Sequence, residues 1–259
     1  MMIQGKSCTL TVAKDGYYYP LPYSEETIRL AAKGYPLPVV IGERNREKLV
    51  ITGKTIQGCF VTRLEYQNVL ALFLLLFSPD DKFDVFTDRK AAKLIYKNLS
   101  IEKFELRADN DKPFYLRIDV KENDDSFVTD WDITTPALFW NEDRTYFFNG
   151  HNVLADLKKL PLVYRFELNG SFTEKSKYQI TLYFPLSTEH FPNQKKIEKL
   201  TIQLDPYSGV SLDLYDLQPV GDMTDINCAD TVLCYQKYNI LSNVVLNIRN
   251  EEQNTTVVL

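Results

Sequence analysis

Aspartate and histidine are the residues here with the chemistry for proton transfer or metal binding, so their spacing comes first. Asp143 and His151 flank the turn signal Asn149-Gly150 and would suit a hydrolase with His151 as base. No nucleophile lies near them, so a structural turn histidine is the simpler reading, and the same holds for His190 in its Pro-flanked loop. Asp80-Asp81 and the Asp109/Asp111 pair could be metal or acid–base carboxylates. Neither pair sits on a helix or strand register that would converge the side chains, so both read as turn chemistry. The four cysteines, Cys8, Cys59, Cys228 and Cys234, form no C-x-x-C, and only two histidines are present. That excludes the usual zinc spacings. Cys8, Cys59 and Cys234 sit among apolar residues and read as small core residues of a chain made in a reducing compartment. No P-loop, G-x-G-x-x-G, G-x-S-x-G or H-E-x-x-H occurs. The expectation is a protein that is not an enzyme, with no catalytic, cofactor-binding or metal residues and no cofactor.

The elements that would carry these residues are strands. Tyr and Phe number 16 and 15 in 259 residues, a composition that favours pleated, half-buried surfaces. Ser7 to Tyr19 reads as a first strand, stopped by Pro20 and Pro22, and Ser24 opens a short element that runs to Leu30. Residues 31–53 carry Gly34, Pro36, Pro38 and Gly42, with Glu43, Arg44, Arg46, Glu47 and Lys48 at the centre. They read as a projecting loop or loose hairpin, and long loops in domains are commonly functional. Ile51 to Leu64 returns as a strand. Residues 65–77 are apolar all round after Asn68 and predict a buried helix. Its apolar run, Val69 to Phe77, is nine residues, well below the ~20 needed to span a bilayer. No signal peptide is visible at the start, so a soluble chain without a membrane partner is expected.

Two strand–turn–strand segments share a texture. Ile101 to Leu106 with Phe114 to Val120, and Val163 to Leu168 with Tyr178 to Phe184, alternate apolar and polar residues. Duplication and coincidence of composition both account for the shared Phe-Glu-Leu. Leu200–Leu204 and Val210–Leu214 predict a third hairpin around Pro206 and Gly209. Residues 217–232 read as loop, and the polar tail at 250–256 as mobile or lying on a neighbour. The domain division expected is 1–121, a linker at 122–136, and 137–259. Residues 1–130 balance 19 basic against 19 acidic residues, and residues 131–259 hold 11 against 16. No clustered basic stripe is present to grip nucleic acid, though such a surface would let nucleic acid pass without sticking.

In order and texture these features resemble the tail tube proteins of long-tailed bacteriophages. The resemblance is carried by the strand Thr9 to Tyr19, the Gly/Pro-marked loop at 33–53, the strand Gly53 to Val61, the apolar helix after Glu65 and the hairpin at 99–120. It covers residues 7–121, with 137–259 a second copy or an elaboration. It implies a mainly β fold, a sandwich or barrel of tube type with a flanking α-helix, present once or twice in tandem. It further implies rings that stack into a tube conducting DNA, and in a duplicated chain three subunits would supply six tube-domain equivalents. The partners would be copies of the chain, other tail proteins and DNA as non-specific passing cargo. The place would be the virion tail, assembled in the host cytoplasm. The mixed charges of Glu43, Arg44, Arg46, Glu47 and Lys48 suit inter-subunit contact, where complementarity sets register. The competing expectation is a monomeric β-sandwich that binds carbohydrate or a receptor through Trp131 and Trp140.

Overall fold

The computed structural model describes residues 9–41, 44–66, 68–77, 81–89, 93–122, 127–129, 145–172, 177–185, 196–205, 209–228, 231–250 and 253–258. Over these residues the chain is mainly β, with a single short α-helix. It divides into two units, each drawn from separated segments. The first unit takes Met1–Phe60, Asp80–Ile101 and Asp119–Leu138, and the second takes Val61–Pro79, Glu102–Ile118 and Phe139–Leu259. The helix at 69–77 and the hairpin around 110 belong to the second unit.

In the first unit β1 (Thr9–Lys14) and β2 (Tyr17–Leu21) are antiparallel, with Lys14 opposite Tyr17. The expected single strand thus folds back at Asp15-Gly16, where both residues have positive φ (52° and 80°). That is the geometry a two-residue hairpin turn needs, and Asp-Gly supplies it at low steric cost. The other margin of β1 pairs with β6 (Phe83–Asp88), which pairs in turn with the front of β7 (Lys93–Asp109). β9 (Phe127–Thr129) lies on the far side of that part of β7. Alternate residues of these strands, among them Leu10, Val12, Phe83, Val85, Ile95 and Leu99, are buried. β5 (Arg44–Arg63) pairs with β3 (Tyr23–Glu26), β4 (Arg29–Ile41) and β8 (Tyr115–Glu122).

The second unit contains α1 (Val69–Phe77). It begins with the apolar run at Val69 rather than at the expected residue 65, because the chain before it is held in a different turn by Asn68. Asn68 Oδ1 accepts from the Glu65 amide (2.9 Å) and its Nδ2 donates to the Arg63 carbonyl (3.0 Å). Val69, Leu72, Phe73, Leu75 and Leu76 are buried, while Leu74 is 43% exposed.

One strand run in this unit is β7, β12 (Arg165–Ser171), β13 (Lys177–Pro185), β16 (Thr231–Ile240) and β15 (Val210–Cys228), each antiparallel to the next. The two look-alike segments are neighbours in it: Leu106 faces Leu168, and Phe104 faces Gly170. A Cβ on Gly170 would lie 2.1 Å from the Phe104 ring, so the glycine makes room for the aromatic. Phe148 and Phe114 pack on Phe166 at centroid distances of 5.0 and 5.8 Å.

A second run shares β15. Its residues 210–214 lie between β14 (Ile197–Asp205) and β17 (Val244–Asn250), with β10 (Val153–Ala155) beyond β14 and β18 (Gln253–Val258) beyond β17. β11 (Lys158–Lys159) closes a small hairpin on β10. Val153, Ile202, Leu212 and Leu246 stand opposite one another in register and are all buried, one apolar row across four strands. The change of partners along β15 follows Asp216, which has φ +55°. Two runs joined by one long strand are compatible with a sandwich.

Two expectations are corrected. Residues 217–228 are strand rather than loop, and the polar tail pairs as β18 against β17. Of the two forms expected for 31–53, a projecting loop or a loose hairpin, the described residues form a hairpin, with one register shift between Lys33 and Gly34.

Candidate functional site

Among the described residues, the titratable side chains singled out for chemistry are not brought together into one site. His151 is exposed in a 3-10 turn (Gly150–Asn152), and its amide donates to the Asn149 side chain (3.0 Å). Asp80, Trp131, Trp140, Asp143 and His190 lie outside the described residues. Asp81 pairs with Lys14 at 2.8 Å. Asp109 pairs with Arg165, and Asp111 (φ +60°) accepts from the Asn110 side chain at 2.8 Å. These contacts are those of turns and strand ends, as their spacing implied. Among the described residues no group of three or more His, Cys, Asp or Glu is placed to hold a metal ion. Cys59 and Cys234 are buried free thiols, Cys8 lies outside the described residues, and Cys228 ends β15.

The geometry that stands out is a pair of long hairpins, one in each unit. In the first, β4 and β5 pair from Arg29 opposite Gln57 to Ile41 opposite Arg44. Ordinary strands run five or six residues, so this ribbon is more than twice the usual length. Of the residues expected at a contact, Arg44 is opposite Ile41, Arg46 opposite Val39, Glu47 opposite Pro38 and Lys48 opposite Leu37. Glu43 lies outside the described residues. Pro36 and Pro38 share a parity. Neither has an N–H to offer, which blunts one margin of β4 against a further strand.

The root of this hairpin is tightly held. The Thr27 amide donates to the Cys59 carbonyl (2.9 Å), and the Cys59 amide donates to the Thr27 hydroxyl (3.1 Å). The close approach needs a glycine next door: a Cβ on Gly58 (φ +148°) would meet the Thr27 carbonyl oxygen at 2.5 Å. Arg89 donates to Glu26 Oε2 from Nε (2.9 Å) and Nη2 (2.5 Å), and Nη2 also reaches the Ile28 carbonyl (3.0 Å). The Tyr96 hydroxyl donates to that same carbonyl (2.7 Å). Burial pushes the Tyr96 phenol up, against the pull of Arg89 beside it.

The second hairpin pairs β15 with β16 from Leu217 opposite Ile240 to Cys228 opposite Thr231. A bulge between Val220 and Thr224 interrupts it. β16 is held on its other margin by β13, residue for residue from Leu233 to Ile240. Among the described residues no strand pairs with the other margin of β15 beyond Leu217. Gln236 and Tyr238 are fully buried, yet among the described residues Gln236 Oε1 and the Tyr238 hydroxyl have no hydrogen-bond partner. Burial alone pushes the Tyr238 phenol up to about 12.

Residue patterns missed this second arm because Pro219, Gly221 and Asp222 carry loop chemistry. The available signal was the two residues Ala229-Asp230 between strand-forming stretches, a spacing typical of tight hairpins. No protein-family model matches the chain, and no curated protein sequence matches it.

Proposed function

We propose that this chain is a structural virion protein that stacks as homo-oligomeric rings into a phage tail tube conducting DNA. The observation that carries the reading is the occurrence of one long hairpin in each unit, each running well past ordinary strand length. A two-stranded ribbon is marginal in water, and three or more strands or a packed partner are needed for stability. β13 already backs the β15–β16 ribbon, so it is the length of the β4–β5 ribbon that supports a surface completed by other copies. A head-to-tail contact of this kind closes into a ring when the rotation closes. Among the described residues no strand pairs with the margin of β15 beyond Leu217, an edge of the sort that copies can complete. The second unit's acidic balance would repel phosphate and leave DNA free to slide.

The test is negative-stain imaging and light scattering of the purified chain across a concentration series. Rings or filaments are expected from the native chain. Arg44→Glu with Arg46→Glu should abolish them and leave the circular dichroism unchanged. A chain that stays monomeric at every concentration sinks the reading and favours the monomeric binding module.

A further inference from the structure

In the second unit a separate feature lies on the face of the β10–β14–β15–β17 run opposite its buried apolar row. There a cleft of about 280 Å³ opens over four strands. Leu154 stands opposite Thr201, Thr201 opposite Asp213, and Asp213 opposite Val245, one residue along from the buried row on each strand. Asp213 is only 4% exposed. Its carboxylate accepts from the Thr201 hydroxyl (2.7 Å), Asn247 Nδ2 (2.8 Å) and Lys199 Nζ (2.7 Å). The cation is thus neutralised in place, and the floor of the cleft is rigid, polar and close to uncharged. Gln203 and Ser211 line the same cleft, and among the described residues their side chains make no hydrogen bond. Their donors and acceptors remain available to a ligand.

One wall is apolar and strained. Leu157 is 83% exposed and has φ +68°. With Asp156 (φ +50°) it makes the two-residue turn between β10 and β11, at the position where glycine or asparagine is the usual choice. The turn is locked by the Asp156 carboxylate, which accepts from the amides of Glu198 and Lys199 (2.9 Å each). A branched apolar residue in the left-handed region, turned out to water at the lip of a cleft, adds nothing to the core. Such strain points to function.

We propose that this cleft binds a pyranose ring of a neutral saccharide. Gln203, Ser211 and the Lys199 ammonium would meet its hydroxyls, and Leu154 and Leu157 would take its C–H face. The near-neutral floor disfavours strongly ionic ligands. The volume sits at the small end of ligand pockets, which run from ~300 Å³ upward, so it suits one ring rather than a chain. The inference does not depend on ring assembly: a monomer or a ring can carry the cleft.

The test is saturation-transfer NMR on the full chain with methyl α-mannopyranoside, methyl β-galactopyranoside and methyl N-acetyl-β-glucosaminide, each at about 10 mM, a concentration suited to weak millimolar binding. At least one glycoside should receive saturation. Leu157→Gly and Gln203→Ala should each weaken that affinity by about tenfold, the equivalent of one lost contact of ~1.4 kcal/mol. Glycine suits the backbone at 157, so Leu157→Gly should melt no lower than the native chain. Absence of transfer from all three glycosides overturns the proposal, as does transfer that survives both variants. A change in oligomeric state alone on Leu157→Gly also overturns it and assigns Leu157 to a contact between copies.

Discussion

The two long hairpins are anchored in opposite ways. The β4–β5 ribbon is held at its root, where β3 and β8 pair with β5, where Gly58 lets its backbone press against Thr27, and where Arg89 bonds both Glu26 and Tyr96. The β15–β16 ribbon is fixed by β13 along Leu233 to Ile240 but buries polar atoms that have no partner among the described residues. A point anchor concentrates stability in a few irreplaceable contacts. A lengthwise anchor spreads it over many and tolerates local faults such as the bulge at 220–224.

Glycine substitutions at the two anchors should break the comparison most sharply. Gly58→Ala forces a Cβ into backbone atoms of Thr27 and Ile28 at 2.5–2.6 Å, with no flexible side chain to give way. Its expected cost is on the order of 3 kcal/mol or more, read by urea unfolding. Gly221→Ala, at the bulge of the other ribbon, meets nothing within 4 Å and pays only for its φ of +69°. Its cost should be about 1 kcal/mol by the same measurement. Similar losses for the two would erase the contrast between the anchors.

Tyr238→Phe sharpens the second half of the comparison. Removing a buried hydroxyl that has no partner should leave stability unchanged or raise it by up to about 1 kcal/mol. It should also change the alkaline limb. The phenol stays protonated in the fold up to about 12, whereas the ordinary value is 10.0. The folded state therefore holds a proton that the unfolded chain gives up. This contribution is complete below pH 10 and is lost as pH rises toward 12. The phenylalanine variant should show a flatter decline there.

The smallest effect is expected at Glu65, where the chain leaves the first hairpin for the helix. Burial raises its carboxyl above 4.5, with Arg63 pulling it back. The fold then favours the protonated form, so stability falls as pH rises through and above 4.5. Glu65→Gln should raise the melting temperature at pH 7 by an amount equivalent to less than about 1 kcal/mol, and have little effect near pH 4.

Strands with clean two-residue alternation were legible. The segments around 101–120, 163–184 and 200–214 fold as their patterns require, because one face meets the core and the other water. Residues 217–228 were hidden by Pro219 and Gly221, whose turn preference is overridden by pairing with β16. The tail at 253–258 lacks an apolar face and was readable only through its partner β17. The opening strand was split by Asp15-Gly16, a signal present in the residues but outweighed by the aromatic run that follows. The stretch at 44–48 reads from its residues as a projecting loop or loose hairpin, and its backbone is strand paired with β4. The saccharide cleft was out of reach altogether. Leu154, Thr201, Asp213 and Asn247 are far apart in the chain and meet only through strand register, and no residue pattern announces a leucine at positive φ.

Strand β7 begins in one unit and ends in the other, with no break at Ile101–Glu102. Expressing either half by itself would leave a severed strand end and orphaned backbone amides, and limited proteolysis should not release two intact fragments. Heat or denaturant should instead take the whole molecule through one transition, because melting one half of a continuous strand unmoors the other.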